Sequence, residues 1–170
     1  MAALYRRALS GHELAMPALP EPYADPEMAH RIARIAASYR QLTGRDLVAC
    51  GKQTATALWL APQVIVAHGT EDDPLFFFAN RAALERFEIS LDAFLGSPSR
   101  LSAEATLREE RQDLLNRVSC DGFIADYAGV RISAKGRRFR IEAATVWNLV
   151  DEHGTVHGQA AAFDQWTELD

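Results

Sequence analysis

The sequence has few cysteines, few lysines and few backbone breakers for its 170 residues. The two cysteines, Cys50 and Cys120, lie far apart, so they form no zinc motif, Cys-x-x-Cys motif or disulfide framework. Ten glycines and seven prolines exclude collagen-like and mucin-like repeats. No hydrophobic run approaches the length of a membrane span, and the N-terminus lacks the apolar core of a signal peptide. We therefore expect a soluble, cytoplasmic protein with no membrane partner.

Acidic residues outnumber basic ones, with 23 Asp and Glu against 18 Lys and Arg and a net charge of −5. A nucleic-acid-binding surface needs basic residues to contact phosphates, so this balance argues against a nucleic-acid partner. Apart from Lys52 and Lys135, every basic residue is an arginine, whose planar fork suits carboxylates and phosphates. Apolar residues make up 48% of the chain, which is enough for one hydrophobic core.

The chain divides into three segments. Residues 1–24 are predicted to be an irregular arm, because three prolines within six residues break any helix there. Residues 25–56 are predicted to be an N-terminal helical extension. Its first helix begins at Asp25-Pro26 and ends at Gly44. Residues 57–170 form the main domain.

The helix after Asp25 carries an apolar stripe on one face. This stripe either packs against its own domain or pairs two protomers, and both alternatives stay open at this point. We assign it as the candidate protein interface, made by Met28, Ile32, Ile35 and Tyr39.

The main domain alternates between strand and helix patterns in the order β-β-α-α-α-β-β-β. The strands are predicted at 63–68, 75–79, 123–133, 138–150 and 155–163, and the helices after the first hairpin at 80–87, 90–95 and 104–118. Odd-numbered residues of strand 138–150 are placed on one core face. The helix 104–118 carries Arg111 within an otherwise apolar stripe. The fold class is α+β: a PAS-like five-stranded antiparallel sheet with helices over one face and an added N-terminal amphipathic helix.

Several sequence motifs, in one order, resemble the MEKHLA domain family. They are Phe78-Ala79-Asn80-Arg81-Ala82-Ala83-Leu84, Pro98-Ser99-Arg100-Leu101-Ser102-Ala103-Glu104, Gly129-Val130-Arg131-Ile132-Ser133, Arg138-Phe139-Arg140-Ile141, Val146-Trp147-Asn148-Leu149 and Gly158-Gln159-Ala160-Ala161. That family is PAS-related and occurs at the C-terminus of plant class III homeodomain–leucine zipper proteins and as free-standing bacterial proteins. The six-letter string that names it is absent here, so the chain looks like the bacterial form. The resemblance implies a sensory or regulatory module responding to a small molecule, light or redox state.

No cofactor is assigned from the sequence. A flavin photosensor of the light-oxygen-voltage type needs a cysteine in the helical segment, and residues 96–101 contain none. Gln159 is similar to the flavin-contacting glutamine of such domains, but Arg131 and Ile141 stand where asparagines are expected. The predicted helix 104–118 contains no histidine for haem. His153 and His157 flank a turn, so no metal site is assigned.

Ligand pockets are mostly apolar with a few polar anchors, and the small residues of the last strand leave room near the sheet. The candidate ligand-binding residues are His68, Tyr127, Arg131, Trp147, Asn148 and Gln159. If Arg131 points inward, it needs an anion, which is Glu142, Glu104 or a ligand carboxylate.

The first functional expectation is a sensory module that binds an unidentified small molecule in its core and signals through protein contact. The alternative is a ligand-free dimerisation or interaction module with a filled core. No set of nucleophile, base and orienting group can be assembled, so we expect no enzyme activity. Because no kinase, cyclase or DNA-binding region is recognised, the output is expected to pass to a protein partner or to a second copy.

Overall fold

The computed structural model describes residues 17–49, 51–104 and 108–170. The helices are α1 (Glu21–Ala24), α2 (Pro26–Thr43), α3 (Thr54–Leu60), α4 (Arg81–Phe87), α5 (Leu91–Phe94) and α6 (Arg108–Asp121). The strands are β1 (Val64–His68), β2 (Phe76–Ala79), β3 (Phe123–Ile132), β4 (Arg138–Val150), β5 (Val156–Phe163) and β6 (Gln165–Leu169). In these ranges no helix combines the length and apolarity needed to cross a bilayer.

The strands form one antiparallel sheet in the order β2-β1-β5-β4-β3, which confirms the predicted PAS-like topology. A sixth strand, β6, was not predicted. It continues β5 along the same edge of β4 without a change of register, since Thr145 pairs with Ala162 and Glu142 pairs with Gln165. Most of its residues are exposed, so the sequence lacks the apolar alternation that marks a strand.

The long strand β4 changes faces near its middle. Ala143 has a φ of +49°, a left-handed conformation that interrupts the alternation of side chains. Phe139 and Ile141 pack in one core cluster with Ala144, whereas Trp147 lies in the cluster on the other face. The prediction that odd-numbered residues share one face along the whole strand is therefore wrong.

Helix α2 covers the outer face of the sheet. Its first turn is capped by Asp25, which accepts hydrogen bonds from the backbone N–H of Glu27 and Met28. The Trp147 indole N–H donates to the Ile35 carbonyl at 3.2 Å. These contacts fix the helical extension to the domain.

The apolar stripe of α2 is used in this packing. Ile32 and Ile35 are fully buried, and Met28 and Tyr39 are half-buried against the same cluster. The Tyr39 ring meets Trp147 edge-on at 5.0 Å. Ile32 and Ile35 are therefore taken up by the chain's own core, whereas Met28 and Tyr39 keep part of their surface exposed, and the protein interface stays a prediction.

The described part of the N-terminal arm, from residue 17 onward, packs against the domain. One helical turn, α1, forms in the part that was predicted to be irregular, while residues 1–16 lie outside the described residues. Tyr23 is fully buried, and its hydroxyl donates to the Ala79 carbonyl and accepts from the Ala79 N–H, both at 2.9 Å. This pair of bonds satisfies backbone groups of β2, and burial raises the pKa of the Tyr23 hydroxyl.

Candidate functional site

A cavity of about 50 Å³ lies on the inner face of the sheet, beneath α6. Its wall is mostly apolar, with side chains from β1, β2, β3, β4, β5, α4 and α6. The residues that line it are Val66, Ala67, His68, Phe76, Phe87, Ser102, Arg111, Leu114, Leu115, Tyr127, Arg131, Ile141, Val146, Gln159, Ala160, Ala161 and Phe163.

Four of the six predicted ligand-binding residues line this cavity: His68, Tyr127, Arg131 and Gln159. Trp147 does not, because the change of face at Ala143 turns its ring toward α2.

Asn148 is buried behind the cavity wall and reaches it only through Gln159. The Gln159 amide N–H donates to Asn148 Oδ1 at 3.1 Å, and the Asn148 amide donates to the Val118 carbonyl at 3.0 Å. Asn148 therefore supports a lining residue and stands outside the lining itself.

Arg131 points into the cavity and is held there by its own strand. Tyr127, Gly129 and Arg131 lie on the same face of β3, as every second residue of a strand does. Because Gly129 has no side chain, the Tyr127 and Arg131 side chains can meet above it. A Cβ at Gly129 would lie 2.2 Å from the Tyr127 hydroxyl. That hydroxyl accepts a hydrogen bond from the Arg131 guanidinium at 3.1 Å, and Arg131 also donates to the Val130 carbonyl.

Neither carboxylate expected for Arg131 pairs with it. Glu104 lies 2.6 Å from Arg138, and Glu142 is exposed on β4. Within the described residues Arg131 makes no ion pair, although it is 9% exposed. Neither of the two protein carboxylates considered from the sequence is therefore its partner.

A second buried arginine, Arg111 of α6, lines the same cavity and was not predicted as a site residue. It is 8% exposed, and among the described residues it has no hydrogen bond or ion pair. Asp73 attracts it electrostatically but is itself paired with Arg100 at 3.2 Å. Burial and the nearby charge of Arg131 lower the pKa of Arg111 to about 10. An arginine within the apolar stripe of a helix is the sequence signal from which this residue could have been identified.

His68 ends β1 beside the cavity. Its Nδ1 lies 2.8 Å from the Gly69 carbonyl, while its Nε2 is buried and has no partner in the described part of the chain. Burial lowers the pKa of His68, so the imidazole is neutral at pH 7. Gly158, with a φ of +152°, lets β5 approach this point, because a Cβ there would lie 2.1 Å from the His68 carbonyl oxygen.

Gln159 links the sheet to α6. Its amide nitrogen lies 3.2 Å from both the Leu115 carbonyl and the Ser119 hydroxyl. Its amide oxygen Oε1 is buried without a partner among the described residues. The contacts of the amide nitrogen with acceptors fix the orientation of the side chain.

The cavity does not fit the large cofactors considered from the sequence. Pockets for drug-sized ligands occupy roughly 300–1,000 Å³, whereas about 50 Å³ admits a ligand of only a few non-hydrogen atoms. Neither a flavin nor a haem can enter in this conformation. His157 contacts Asp151 at 2.8 Å, and no group of three metal-ligating residues occurs within 17–49, 51–104 and 108–170.

Solved structures with this fold are PAS-type domains. The PAS domain of a protein from Colwellia psychrerythraea superposes with a TM-score of 0.57 at 16% identity, covering 69% of this chain and 95% of that one. An RNA-binding light-oxygen-voltage receptor superposes with a TM-score of 0.55 at 15% identity, covering 66% of this chain and 31% of that one. These likenesses confirm the fold.

The curated relatives are plant proteins. Homeobox-leucine zipper protein HOX32 of Oryza sativa subsp. japonica is 31% identical over 155 residues, which are 86% of this chain and 18% of that protein. Homeobox-leucine zipper protein ATHB-9 of Arabidopsis thaliana is 28% identical over 182 residues, covering 98% of this chain and 22% of that protein. This chain thus spans about a fifth of their length, and the predicted bacterial free-standing form has no support from them. The family model described as "MEKHLA domain" matches residues 29–168, and the chain belongs to the MEKHLA domain family.

Proposed function

We propose that this chain is a sensory module that binds a small molecule in the cavity beneath α6 and signals through protein contact. The observation that carries the proposal is that two residues of the cavity wall, His68 and Gln159, each bury a polar atom, Nε2 and Oε1, that has no partner in the described part of the chain. A buried polar atom without a partner costs about 1–3 kcal/mol, so such atoms need an explanation. A ligand that hydrogen-bonds to them supplies one.

Helix α6 is the element through which binding is passed on. It contributes Arg111, Leu114 and Leu115 to the cavity, and it is tied to the sheet by the side chains of Gln159 and Asn148. A ligand that contacts both α6 and the sheet changes the balance of these bonds. The outer surface of α6 then presents an altered face to a protein partner or to a second copy.

We infer a binding role and no catalysis. The hydroxyls at the cavity belong to Ser102 and Tyr127, and among the described residues neither is hydrogen-bonded to His68. A nucleophile activated by a base requires such a contact. The alternative of a ligand-free interaction module would have to use the half-exposed Met28 and Tyr39 of the α2 stripe, because Ile32 and Ile35 are buried in the chain's own core.

The test is a binding screen on the full chain by two-dimensional NMR, with a panel of small neutral, cationic and anionic compounds. We expect at least one compound to shift the signals of cavity residues and to change hydrogen exchange in α6. Ala161→Leu fills the cavity and should abolish both effects. Ala128→Leu adds the same side chain at an exposed position of β3 and should keep them. A screen in which no class of compound reaches the cavity would overturn the proposal.

Binding should also change the association of the chain. Light scattering and cross-linking with and without the bound compound measure contact with a second copy. If binding shifts α6 but alters neither self-association nor capture by a full-length relative, the signalling part of the proposal is wrong.

A further inference from the structure

The polar groups at the cavity divide into two kinds. Arg111 and Arg131 are cationic hydrogen-bond donors, and both are more than nine-tenths buried. His68 and Gln159 are equally buried and each keep one atom without a partner in the described part of the chain. The chemistry of these four residues specifies the ligand that fits between them.

The two guanidinium groups require a negative charge. They lie close enough for mutual repulsion, and neither contacts a carboxylate of the described chain. Burying charge without a counter-charge is strongly unfavourable, and two like charges add to the cost. Guanidinium groups match the planar oxygen pair of a carboxylate, which can accept two parallel hydrogen bonds.

The two unpartnered atoms are acceptors. His68 Nδ1 faces a carbonyl and so carries the hydrogen, which leaves Nε2 of the neutral ring as an acceptor. The Gln159 amide nitrogen faces carbonyl oxygens, which leaves Oε1 as an acceptor. His68 and Gln159 are direct cross-strand partners in β1 and β5, so both side chains stand on one face of the sheet.

We propose that the cavity binds a small hydroxycarboxylate, whose carboxylate is held by Arg111 and Arg131 and whose hydroxyl donates to His68 Nε2 or Gln159 Oε1. This inference rests on the proposed function and names its ligand class. An ammonium donor is excluded by the two nearby cations. The cavity volume of about 50 Å³ limits the ligand to a few non-hydrogen atoms, which is the size of glycolate or lactate.

The experiment is isothermal titration of the full chain with three matched pairs of probes. Glycolate and lactate carry both groups, acetate and propionate lack the hydroxyl, and glycolamide and lactamide lack the charge. We expect the hydroxy acids to bind at least about tenfold more tightly than either control class, since each control leaves a buried group unpaired. Arg111→Gln and Arg131→Gln should each weaken glycolate binding by at least about tenfold. The matched control, Arg117→Gln at an exposed position of the same helix, should leave it unchanged.

Other binding results separate a failure of the ligand class from a failure of the proposed function. Equal binding of acetate and glycolate, or glycolate binding that survives both arginine substitutions, overturns the inference. Binding of the neutral amides or of another compound from the NMR panel, with the hydroxy acids inert, overturns it and leaves the proposed function standing. If no compound of any class binds, both fail together.

Discussion

His68 and Gln159 face each other across neighbouring strands, and each has one buried polar atom that nothing in the described chain satisfies. Both residues are otherwise firmly held: His68 by the Gly69 carbonyl, and Gln159 by acceptors on α6 and β4. The unpartnered atoms are therefore a consequence of well-fixed side chains, and they are the atoms to which the proposed ligand would hydrogen-bond.

Replacing Arg111 by Met should stabilise the ligand-free protein. The substitution keeps an unbranched apolar stem but removes a buried charge that repels Arg131, and we expect the free energy of unfolding to rise by about 1 kcal/mol or more. Urea denaturation in a buffer without small organic acids measures this. Arg117→Met, at an exposed arginine of the same helix, should change stability by less than about 0.5 kcal/mol. A clear loss of stability in Arg111→Met would mean that the arginine is structural.

Stability should fall as the pH drops below about 6.5, the ordinary pKa of histidine. The pKa of His68 is lowered by burial, with Arg111 lowering it further and Glu71 and the Gly69 carbonyl opposing the shift. The unfolded chain therefore takes up a proton before the folded chain does, and the free energy of unfolding decreases by up to about 1.4 kcal/mol per pH unit between the two pKa values.

Urea denaturation at pH 7.5 and 5.0 tests the role of His68. His68→Gln should show a smaller loss of stability between these two pH values, because glutamine does not titrate. His153→Gln, at an exposed histidine, should behave like the unsubstituted chain. A loss of equal size in all three proteins would show that other groups cause it.

Replacing Ile35 by Asp should prevent folding. Ile35 is fully buried between α2 and the sheet, so the charge has neither water nor a partner. Circular dichroism and light scattering should find an unfolded or aggregated chain, whereas His30→Asp, at an exposed position of α2, should fold normally. Ile35→Val should fold and cost about 0.5–1.5 kcal/mol. A folded monomer of Ile35→Asp would instead restore the stripe as an interface.

Arg86 should be the main anchor of β6. Its guanidinium lies 4.2 Å from the Phe139 ring centre and 5.3 Å from that of Trp166, and it also pairs with Glu168. We expect Arg86→Ala to cost about 1–3 kcal/mol through lost stacking and packing. Glu168→Gln should cost less, because that carboxylate is exposed and screened by water. Urea denaturation measures both losses of stability. A larger loss in Glu168→Gln than in Arg86→Ala would contradict the role of Arg86 as the main anchor.

The order of elements, the caps of α2 and the hairpin of β1 and β2 were predictable because they depend on residues near in sequence. Asp25 and Gly44 act within one turn of their own helix, and the apolar periodicity of α2 follows from its own side chains. The family resemblance rested on short motifs in one order, which are also local features of the sequence, and the family match confirmed it.

A PAS-like sheet, its covering helix and four cavity residues were predictable without a structure, since hydrophobic periodicity and local caps report directly on faces and ends. Which neighbours each face contacts depends on long-range packing, which became visible in the folded chain. One left-handed residue, Ala143, turned Trp147 away from the cavity. The fold placed Arg111 of α6 and Arg131 of β3 in the wall of one cavity, and it left Arg131 without the carboxylates that the sequence offered. Such pairings depend on distances between residues far apart in the chain, which no local pattern encodes.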